Sequence, residues 1–418
     1  MFSKVKGFRD IYGDEIRYWK KFEDIFTEVF NKYDYQEFKL PILEKVELFK
    51  RGIGDTTDIV EKEMFVFKDR GGEKLALRPE GTASLVRGYI ENKIYTQGLI
   101  SKYYYYGPMF RRERPQKGRF RQFYQAGVEV FGSNLPIVDA EVIKTMYEIL
   151  ISCGIGDIIT LNINSLGCPI CRPAYKDKLI SFLSSQKDHL CSDCNNRLEK
   201  NPLRVLDCKV DRCKSAVSNA PLMVDHLCSD CNEHFKQVKK FLLHFNVNYN
   251  INPYMVRGLD YYVRTAFEFN TEFLGASNAV GGGGRYDGLI KTLGGPDIPG
   301  IGYAIGADRV VTLMMEKNII PDLPTKISVI FFNETFEEGF KLLDLLRSQS
   351  YTAIYDYEMG SFKNQFKKAD RSGSRLAVII GTDEKEKGVY KVKDLITGNQ
   401  IEVEQTKLLE EINKIIRK

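Results

Sequence analysis

The sequence predicts an α+β protein in which a cysteine-rich segment interrupts an antiparallel sheet domain and a small α/β domain follows. Three observations lead to this prediction. Strand-like runs in the first 165 residues are linked by short turns, which favours antiparallel pairing over crossover connections. Eight of the nine cysteines lie between residues 166 and 250. From residue 326 onward, strand and helix signals alternate.

At 418 residues the chain is long enough for two or three domains. Its hydrophobic fraction of 43% and charged fraction of 28% are ordinary for a soluble globular protein. The N-terminal residues lack the apolar core of a signal peptide, and no run approaches about 18 apolar residues. We therefore expect a cytoplasmic protein that neither spans a membrane nor is secreted. The net charge of +5 means that a nucleic acid would have to bind local basic patches.

The first domain is predicted to combine an amphipathic helix with several strands. Apolar residues at helical spacing predict the helix over residues 16–33. Strand signals return after the cysteine-rich segment, from residue 253 to about 316. We therefore expect one discontinuous sheet domain, formed by residues 1–165 and 251–320, around an insertion at residues 166–250. The four strand-like runs that precede the insertion are residues 64–68, 74–79, 102–111 and 121–131.

The C-terminal region begins after a predicted linker at residues 318–325, which contains Pro321 and Pro324. Alternating strand and helix signals then predict a small α/β domain over residues 326–418. Basic residues cluster around one of its predicted helices, a pattern that is more often a solvated surface than an RNA contact. These basic residues are Lys363, Lys367, Lys368, Arg371 and Arg375.

The most informative stretch is FRRERPQKGRFRQFYQAGVEVFG, residues 110–132. Six basic residues and one acid stand within residues 110–121. Two strands that meet at an arginine-rich loop can hold a polyphosphate, because guanidinium groups match phosphate oxygens bidentately and keep their charge. Side chains alternate along the second strand, so cation, ring, amide, glycine and carboxylate share one face. Such a face suits a zwitterionic small molecule beside a phosphate. Its members are Arg121, Phe123, Gln125, Gly127 and Glu129.

The segment LRPEGTA, residues 77–83, places polar side chains where a predicted strand ends. Thr82 would be the N-cap of the following helix. Glu80 would then lie at the edge of the sheet, where it could also serve a binding site.

The segment RGLDYYVRTAFEF, residues 257–269, sets two adjacent tyrosines beside an arginine and an aspartate. Much of this run is typical of an aromatic core strand. Arg257, Tyr261 and Tyr262 nevertheless carry donors on long side chains and are candidates for binding a polar ring.

Two glycine-bearing segments follow. VGGGGRYDG, residues 280–288, lets a ligand approach the backbone closely, but it lacks the spacing of a P-loop or of a dinucleotide-binding fingerprint. GIGYAIGADRV, residues 300–310, predicts a strand and then a helix whose first turn contains Arg309. A cation is unfavourable at the start of a helix, which favours a role for Arg309 in binding phosphate.

The predicted sheet domain contains neither a histidine nor a motif for a nucleophilic serine or cysteine. The chemistry should therefore be positional and electrostatic, with arginines stabilising a reacting phosphate. A carboxylate that attacks an α-phosphate needs no general base, because it is already a nucleophile. The acyl group would then pass to a hydroxyl. The four histidines, all in the insertion, are His189, His226, His234 and His244.

The cysteine-rich segment contains the octapeptide DHLCSDCN twice, at residues 188–195 and 225–232, which predicts two similar small units. The cysteine spacing favours two structural zinc sites of four thiolates each, with disulfides or free thiols as the alternatives. Sequential pairing would assign the first four cysteines to one site and the last four to the other. His189 or His226 could replace a thiolate, although each lies only two residues before a cysteine. The four pairs are Cys168/Cys171, Cys191/Cys194, Cys208/Cys213 and Cys228/Cys231, and Cys153 is expected in the core.

Together these motifs resemble the histidine–tRNA ligases, a family of class II aminoacyl-tRNA synthetases. FRRERPQKGRF resembles motif 2, GIGYAIGADRV resembles motif 3, and RGLDYY and GGGGRYDG resemble the two histidine signatures. YDYQEFKLPILEKVELF, around Pro41, resembles motif 1, the dimer-interface element of the family. The resemblance implies a class II antiparallel-sheet catalytic domain, a mainly helical insertion that reaches the tRNA acceptor arm, and an anticodon-binding-type C-terminal domain.

The resemblance also implies a reaction: ATP, L-histidine and tRNA(His) yield histidyl-tRNA, AMP and diphosphate through a histidyl-adenylate, with Mg²⁺ and in a homodimer. The catalytic residues would be Arg111, Arg257 and Arg309. The histidine-binding residues would be Glu80, Gly81, Thr82, Arg111, Gln125, Glu129, Arg257, Tyr261 and Tyr262. The ATP-binding residues would be Arg111, Glu113, Arg119 and Arg309. The loop at residues 114–119 would meet the acceptor end of the tRNA.

Two positions depart from the family pattern. Asp308 precedes Arg309 where a glutamate is usual, and Arg112 stands where histidine is common. One alternative is the regulatory paralogue of ATP phosphoribosyltransferase, which shares the catalytic fold but typically lacks the anticodon domain and the motif arginines. All three arginines and an α/β tail are present in this chain. A zinc-dependent RNA-binding module without catalysis would explain the insertion but not RGLDYY.

Overall fold

The computed structural model describes residues 2–55, 57–98, 100–275, 278–319 and 325–416. The chain divides into two compact units, Met1–Pro321 and Asp322–Lys418. Most of the predicted linker, residues 320–324 with both of its prolines, lies outside the described residues. Among the helices that the structure describes, none is both long enough and apolar enough to cross a bilayer.

The first unit contains ten α-helices and eleven strands in its described residues. The helices are α1 (Glu15–Lys32), α2 (Val46–Ile53), α3 (Thr82–Glu91), α4 (Pro136–Ser152), α5 (Arg172–Ser185), α6 (Ser192–Lys200), α7 (Asp211–Val217), α8 (Ser229–His244), α9 (Leu289–Thr292) and α10 (Ala307–Glu316). The strands are β1 (Gln36–Glu37), β2 (Leu43–Lys45), β3 (Phe65–Lys68), β4 (Lys74–Leu77), β5 (Ser101–Phe110), β6 (Gln122–Phe131), β7 (Thr160–Ser165), β8 (Asn250–Ile251), β9 (Val263–Asn270), β10 (Ala279–Arg285) and β11 (Gly300–Gly306).

The central sheet has eight strands in the order β1-β5-β6-β11-β10-β9-β7-β8. Every pairing from β5 to β7 in that order is antiparallel, and only the two-residue edge strands β1 and β8 run parallel to their neighbours. The predicted antiparallel sheet is confirmed. β6 pairs with β11 and β7 pairs with β9, so chain segments from both sides of the insertion complete one sheet.

One face of this sheet is covered by α1, α4 and α10. Helix α1 agrees with the helix predicted over residues 16–33, because its apolar stripe buries Trp19, Phe22, Phe26 and Phe30 against the sheet. The opposite face remains accessible to ligand at the centre of the sheet. A small antiparallel sheet of order β2-β4-β3 lies beside it.

A buried ion pair joins β10 to α4. The guanidinium of Arg285 contacts the Asp139 carboxylate, and both side chains have no solvent exposure. Arg285 also donates to the Ser133 carbonyl at 2.9 Å. His234 of α8 lies 3.6 Å from Asp139, so this network connects the sheet, α4 and the insertion.

The insertion is built from helices α5 to α8, as the family resemblance implies, and α8 packs along α4. Its cysteines form two clusters, but not in sequential order. One cluster combines Cys168 and Cys171 with Cys228 and Cys231, and the other combines Cys191 and Cys194 with Cys208 and Cys213. The sequential pairing predicted from the sequence is therefore wrong. The insertion leaves and re-enters the same sheet at β7 and β8, which are paired, so its first and last cysteine pairs meet and the two inner pairs form the second cluster.

The second unit contains a five-stranded sheet of order β13-β12-β14-β15-β16. Its first three strands in this order are parallel to each other. The last two, β15 and β16, form an antiparallel hairpin that pairs with the edge of β14. The strands are β12 (Lys326–Phe331), β13 (Thr352–Ile354), β14 (Leu376–Ile380), β15 (Val389–Asp394) and β16 (Gln400–Glu404), and the helices are α11 (Phe336–Ser348), α12 (Phe362–Arg371), α13 (Thr382–Lys387) and α14 (Leu408–Ile416).

Candidate active site

A cavity of about 310 Å³ lies over the open face of the large sheet. Its walls come from the β5–β6 hairpin, the start of α3, the segment before β9, strand β10 and the start of α10. Residues from distant parts of the sequence therefore converge there. The predicted site residues that line it are Glu80, Thr82, Arg111, Glu113, Arg119, Gln125, Arg257, Tyr261, Tyr262 and Arg309.

The loop between β5 and β6 holds two arginines around one carboxylate. Arg119 Nε lies 2.6 Å from Glu113 Oε2, and Arg111 Nη1 lies 3.6 Å from Glu113 Oε1. Arg111 also donates from Nε to the Pro79 carbonyl at 2.9 Å and rests 5.3 Å from the centre of the Phe123 ring. These contacts fix the direction of the guanidinium groups before a ligand binds, which reduces the entropy lost on binding.

Arg309 enters the cavity from the first turn of α10 and donates to the Ala279 carbonyl. Burial is the main cause that lowers its pKa, to about 10, and the charge of nearby Arg119 lowers it further. A cation that is buried near a second cation at a helix N-terminus is stabilised by an anion. The geometry therefore suits a phosphate between Arg309 and Arg119.

The side chain of Arg257 packs against the backbone of β10 at Gly282. Its Nη1 donates to Glu268 Oε2 at 2.5 Å, while its buried Nε has no hydrogen-bond partner among the described residues. A Cβ on Gly282 would lie 2.9 Å from Arg257 Nη1 and 2.5 Å from the Phe267 carbonyl oxygen, so glycine is needed there for close approach. Burial is the largest single influence and disfavours the cation, but Glu268, Tyr262 and Tyr261 together outweigh it, so the pKa of Arg257 is raised.

The floor of the cavity is a hydrogen-bonded group of buried polar residues. Glu80 accepts the backbone N–H groups of Thr82 at 2.7 Å and Ala83 at 2.9 Å, so Glu80 caps α3. The sequence assigned that role to Thr82, which is instead the first helical residue. Its hydroxyl donates to Glu129 Oε1 at 2.6 Å, and the Tyr286 hydroxyl donates to Oε2 of the same carboxylate.

Glu129 and Gly81 lie one layer beneath the residues that line the cavity. Glu129 has no solvent exposure, and burial raises its pKa to about 8, although its two hydrogen-bond donors oppose the shift. A Cβ on Gly81 would lie 2.2 Å from the Tyr105 ring. Gly81 therefore makes room for Tyr105 rather than for a ligand. Gln125 does face the cavity, and its buried Oε1 has no hydrogen-bond partner among the described residues.

Three charged lining residues were not foreseen from the sequence. Glu268 of β9 forms an ion pair with Arg257. Its position between the apolar Phe267 and Phe269 is the sequence signal that could have placed it on the opposite face of the strand, toward the site. Arg204 and Asp207 belong to the insertion and carry no recognisable motif. The insertion therefore contributes directly to the wall of the cavity.

Asp308, the unusual acid before Arg309, joins three parts of the fold. Its Oδ2 accepts the Tyr124 backbone N–H at 2.8 Å, and its Oδ1 lies 2.9 Å from the Arg9 guanidinium. The shorter acid therefore reaches both β6 and the N-terminal segment, and it holds α10 in register with the hairpin.

The two cysteine clusters have the geometry of metal sites. In the first, neighbouring sulfur atoms are 3.7, 3.8 and 3.9 Å apart. A tetrahedral zinc ion with Zn–S bonds of about 2.3 Å would separate its sulfur ligands by about 3.8 Å. In the second, Cys191 and Cys208 sulfur atoms are 4.0 Å apart. All eight cysteines are free, because disulfide sulfur atoms would be only about 2 Å apart.

The charges within these clusters also suit a cation. Burial raises the pKa of the Cys168 thiol, but hydrogen bonds from the Cys171 and Ile170 backbone and from neighbouring thiols outweigh it, so the pKa falls to about 7. The pKa of Cys231 in the same cluster is raised, chiefly by burial and then by its neighbours. Four thiolates so close together repel each other unless a metal ion neutralises them.

The antiparallel sheet, the arginine-bearing hairpin and the arginine at the start of α10 define a class II aminoacyl-tRNA synthetase. A profile of histidyl-tRNA synthetases matches residues 7–310, and a profile of the anticodon binding domain matches residues 326–415. The chain belongs to the histidyl-tRNA synthetase family.

Relatives and solved structures agree with this assignment. The chain is 47% identical over 416 residues to the histidine–tRNA ligase of Halothermothrix orenii, covering 98% of this chain and 99% of that protein. It is 46% identical over 409 residues to the histidine–tRNA ligase of Aquifex aeolicus, covering 97% and 99%. The apo histidyl-tRNA synthetase of S. aureus superposes with a TM-score of 0.81 at 34% identity, covering 98% and 99% of the two chains.

Proposed function

We propose that this protein joins L-histidine to tRNA(His) in two steps, through a histidyl-adenylate. The observation that carries the proposal is the convergence of Arg111, Arg257 and Arg309 on one cavity with a polar, aromatic floor. This arrangement occurs in a chain that is 47% identical to a histidine–tRNA ligase over nearly its whole length.

Histidine would bind in the inner part of the cavity. Gln125 Oε1 and the Glu80 carboxylate are acceptors for the α-ammonium group, and Arg257 is a donor for the α-carboxylate. Tyr261 and Tyr262, whose ring centres are 4.6 Å apart, would contact the imidazole ring as a pair. Glu129 would act on histidine indirectly, from beneath the pocket. Its carboxylate accepts hydrogen bonds from the hydroxyls of Thr82 and Tyr286 and so fixes their orientation.

ATP would bind in the outer part, under the β5–β6 hairpin. Arg111, Arg119 and Arg309 match three sides of a triphosphate, and their existing contacts hold them in place. Mg²⁺ bound with ATP would neutralise phosphate charge. Glu113 and Glu268 face the cavity with the carboxylate oxygens that this ion prefers.

In the first step, a carboxylate oxygen of histidine attacks the α-phosphorus of ATP. The new P–O bond forms as the bond to the β-phosphate oxygen breaks, and diphosphate leaves. No proton is transferred, so the chain's contribution is to align the reactants and to stabilise charge on the α-phosphate through Arg257 and Arg111. In the second step, a hydroxyl oxygen of the terminal tRNA ribose attacks the histidyl carbonyl carbon. The bond from that carbon to the AMP phosphate oxygen breaks, AMP leaves, and the hydroxyl proton passes to water.

The tRNA would contact several parts of the chain. We assign residues 1–165 and 251–320 to the catalytic domain, residues 166–250 to the insertion and residues 326–418 to the anticodon-binding domain. The loop at residues 114–119 would meet the acceptor end. The protein would act in the cytoplasm, where ATP and tRNA are available.

A homodimer is supported by the segment that resembles motif 1. It runs into β2, where Leu43 is 45% exposed and Ile42, just before the strand, is 44% exposed. Val66 and Phe67 of β3 are exposed at 48% and 42% in the same three-stranded sheet. A second copy that covers these apolar side chains would remove them from water.

Each cysteine cluster would hold one structural zinc ion. The sulfur spacing fits tetrahedral ligation, and both clusters form the small core of the insertion. Cys191 and Cys228 each precede the first residue of a helix, so each copy of the repeated octapeptide supplies one cluster with a helix-bound pair.

The alternative is the regulatory paralogue. A chain from Bacillus halodurans described as an ATP phosphoribosyltransferase regulatory subunit/histidyl-tRNA synthetase superposes with a TM-score of 0.66, but at 20% identity it shares the fold alone. The match of residues 326–415 to the anticodon binding domain favours the ligase.

The test is ATP–diphosphate exchange with each of the twenty amino acids. Exchange with histidine alone is expected, and Arg257→Ala should reduce it at least about a hundredfold, because a group that stabilises charge at the α-phosphate is removed. Arg70→Ala is the matched control, since Arg70 is exposed in the β3–β4 turn and does not line the cavity. Exchange with no amino acid would refute the ligase and favour the regulatory paralogue.

A further inference from the structure

The substrate-binding segment, residues 257–262, lies between β8 and β9 and forms turns and bends rather than a helix or a strand. It carries Arg257, Tyr261 and Tyr262. A segment that forms no regular backbone hydrogen bonds of its own depends on neighbouring residues to fix its backbone. α2 supplies one such contact, since the Asp260 amide donates to the Ile53 carbonyl at 3.2 Å.

The insertion supplies three more contacts to this segment. Arg204 Nη1 donates to the Arg257 carbonyl at 3.1 Å, at the start of the segment. Arg172 Nη2 donates to the Tyr262 carbonyl, at its end. Between them, Asn201 Nδ2 donates to Asp260 Oδ1 at 2.6 Å.

Each arginine is attached to a different cysteine cluster. Arg172 directly follows Cys171, and its Nε also donates to the Leu166 carbonyl at 2.9 Å. Arg204 lies in the short 3₁₀ helix Pro202–Val205, between Cys194 and Cys208, and the adjacent Val205 is buried among the cysteines. One cluster therefore reaches each end of the segment.

We infer that Arg172 and Arg204 are positioning residues that couple the two cysteine clusters to the histidine site by fixing the backbone of residues 257–262. Neither side chain is needed to bond to a reacting atom, since each acts through a backbone carbonyl. The inference rests on the proposed function, because the segment is taken to bind histidine and the α-phosphate.

Coupling of this kind acts in both directions. If an ordered cluster favours the position of the segment that binds substrate, then bound substrate must favour the ordered cluster by the same factor. Histidine and ATP should therefore protect cysteines that they do not touch. This effect would not arise from an insertion that merely packs beside the sheet.

The first experiment measures the rate at which N-ethylmaleimide alkylates each cysteine in the zinc-loaded full chain, by mass spectrometry. Histidine with ATP is expected to slow alkylation at least threefold in both clusters of the unmodified protein. In Arg204→Ala, the slowing should disappear at Cys191, Cys194, Cys208 and Cys213 but remain in the other cluster. Equal alkylation with and without substrates in the unmodified protein would overturn the inference.

The second experiment separates positioning from general docking. Arg204→Ala should raise the KM for histidine in diphosphate exchange about tenfold while the KM for ATP changes less than twofold. Arg204→Lys should recover part of the loss, because its ammonium can still donate to the carbonyl. Lys200→Ala is the control, since Lys200 joins the same insertion to Glu61 at 2.9 Å without contacting the segment.

The outcomes distinguish this inference from the proposed function. An unmodified protein that exchanges with no amino acid refutes the function, and the inference falls with it. A protein that exchanges with histidine while Lys200→Ala and Arg204→Ala behave alike keeps the function and refutes the inference. If Arg204→Ala does not fold, Arg204→Lys and the alkylation of the unmodified protein decide the question.

Discussion

The hydroxyl of Thr82 donates a hydrogen bond of 2.6 Å to Glu129 Oε1, and the two residues come from α3 and β6. The Tyr286 hydroxyl donates to the other oxygen of the same carboxylate. Two donors reduce the cost of burying a charge but do not remove it, so the pKa of Glu129 is still raised to about 8. The floor of the site is therefore sensitive to pH.

This sensitivity predicts how the stability of the substrate-free protein depends on pH. A carboxyl whose pKa is higher in the folded state stabilises the fold fully below its ordinary value of 4.5, and the stabilisation is lost as pH rises through about 8. Glu129→Gln removes the titration. Its free energy of unfolding relative to that of the unmodified protein, measured by denaturant titration, should rise between pH 5 and pH 8.5 by roughly 4 kcal/mol. A constant difference across that range would contradict the prediction.

The close approach of Arg257 to β10 predicts the effect of Gly282→Ala. The added methyl group would lie 2.5 Å from the Phe267 carbonyl oxygen and 2.9 Å from Arg257 Nη1, so it would displace β9 and the guanidinium relative to the α-phosphate position. A displacement of about 1 Å can cost about a hundredfold in rate, so kcat for histidine-dependent diphosphate exchange should fall by tenfold to a hundredfold. Gly288→Ala is the matched control, because its Cβ would meet no atom within 4 Å. Equal loss in both variants would mean that the loss does not arise from the approach of Arg257 to Gly282.

The arrangement of the cysteine clusters predicts the zinc content of double variants. Cys168→Ser with Cys228→Ser damages one cluster and should leave about one zinc ion per chain. Cys168→Ser with Cys191→Ser damages both clusters and should leave almost none. Sequential pairing predicts the reverse for these two double variants. Metal analysis of the purified proteins decides between the arrangements, with Cys153→Ala, outside both clusters, as the control.

The basic helix α12 predicts which cations of the second unit contribute to tRNA binding. Lys363, Lys367 and Arg371 are exposed, whereas Lys368 already lies 2.6 Å from Asp356 and 2.5 Å from Glu358. Replacing the three exposed cations by alanine should raise the KM for tRNA about tenfold. It should also reduce the slope of log affinity against log salt by about 2, since each contact with phosphate contributes about 0.7 to 0.9.

Two measurements check this last prediction. Diphosphate exchange should be unchanged in the triple variant, because it requires no tRNA. Lys368→Ala should change the KM for tRNA by less than twofold, since its charge is neutralised within the unit. If Lys368→Ala weakens tRNA binding as strongly as the triple variant does, the assignment of the exposed face is wrong.

The sequence alone predicted the antiparallel sheet and the amphipathic helix α1, because periodicities of two and 3.6 residues report directly on buried faces. It also singled out Arg111, Arg257 and Arg309 as candidate site residues, and all three line one cavity in the structure. These residues are recognisable because charge and glycine density are local properties. The structure adds the contacts of these arginines, several of which come from distant parts of the chain.

Other features depended on long-range contacts that carry no local signal. The cysteine pairing depends on where the insertion returns to the sheet, and spacing along the chain does not encode that return. Glu80 rather than Thr82 caps α3, because its two carboxylate oxygens reach two amides where a hydroxyl reaches one. Nothing in the sequence around Arg204 distinguishes it from an ordinary surface arginine, because its contact with the Arg257 carbonyl depends on the fold.

The pairing of β6 with β11 has a consequence for synthesis on the ribosome. β6 emerges early, yet its partner is made only after the whole insertion has been translated. During that interval β6 presents an unpaired edge with apolar side chains, which is the kind of surface that associates with other nascent chains or recruits a chaperone. The insertion, whose helices and cysteine clusters involve contacts among its own residues, can fold during the delay. The order of translation therefore allows the cysteine-rich insertion to fold before β11 completes the sheet beside β6.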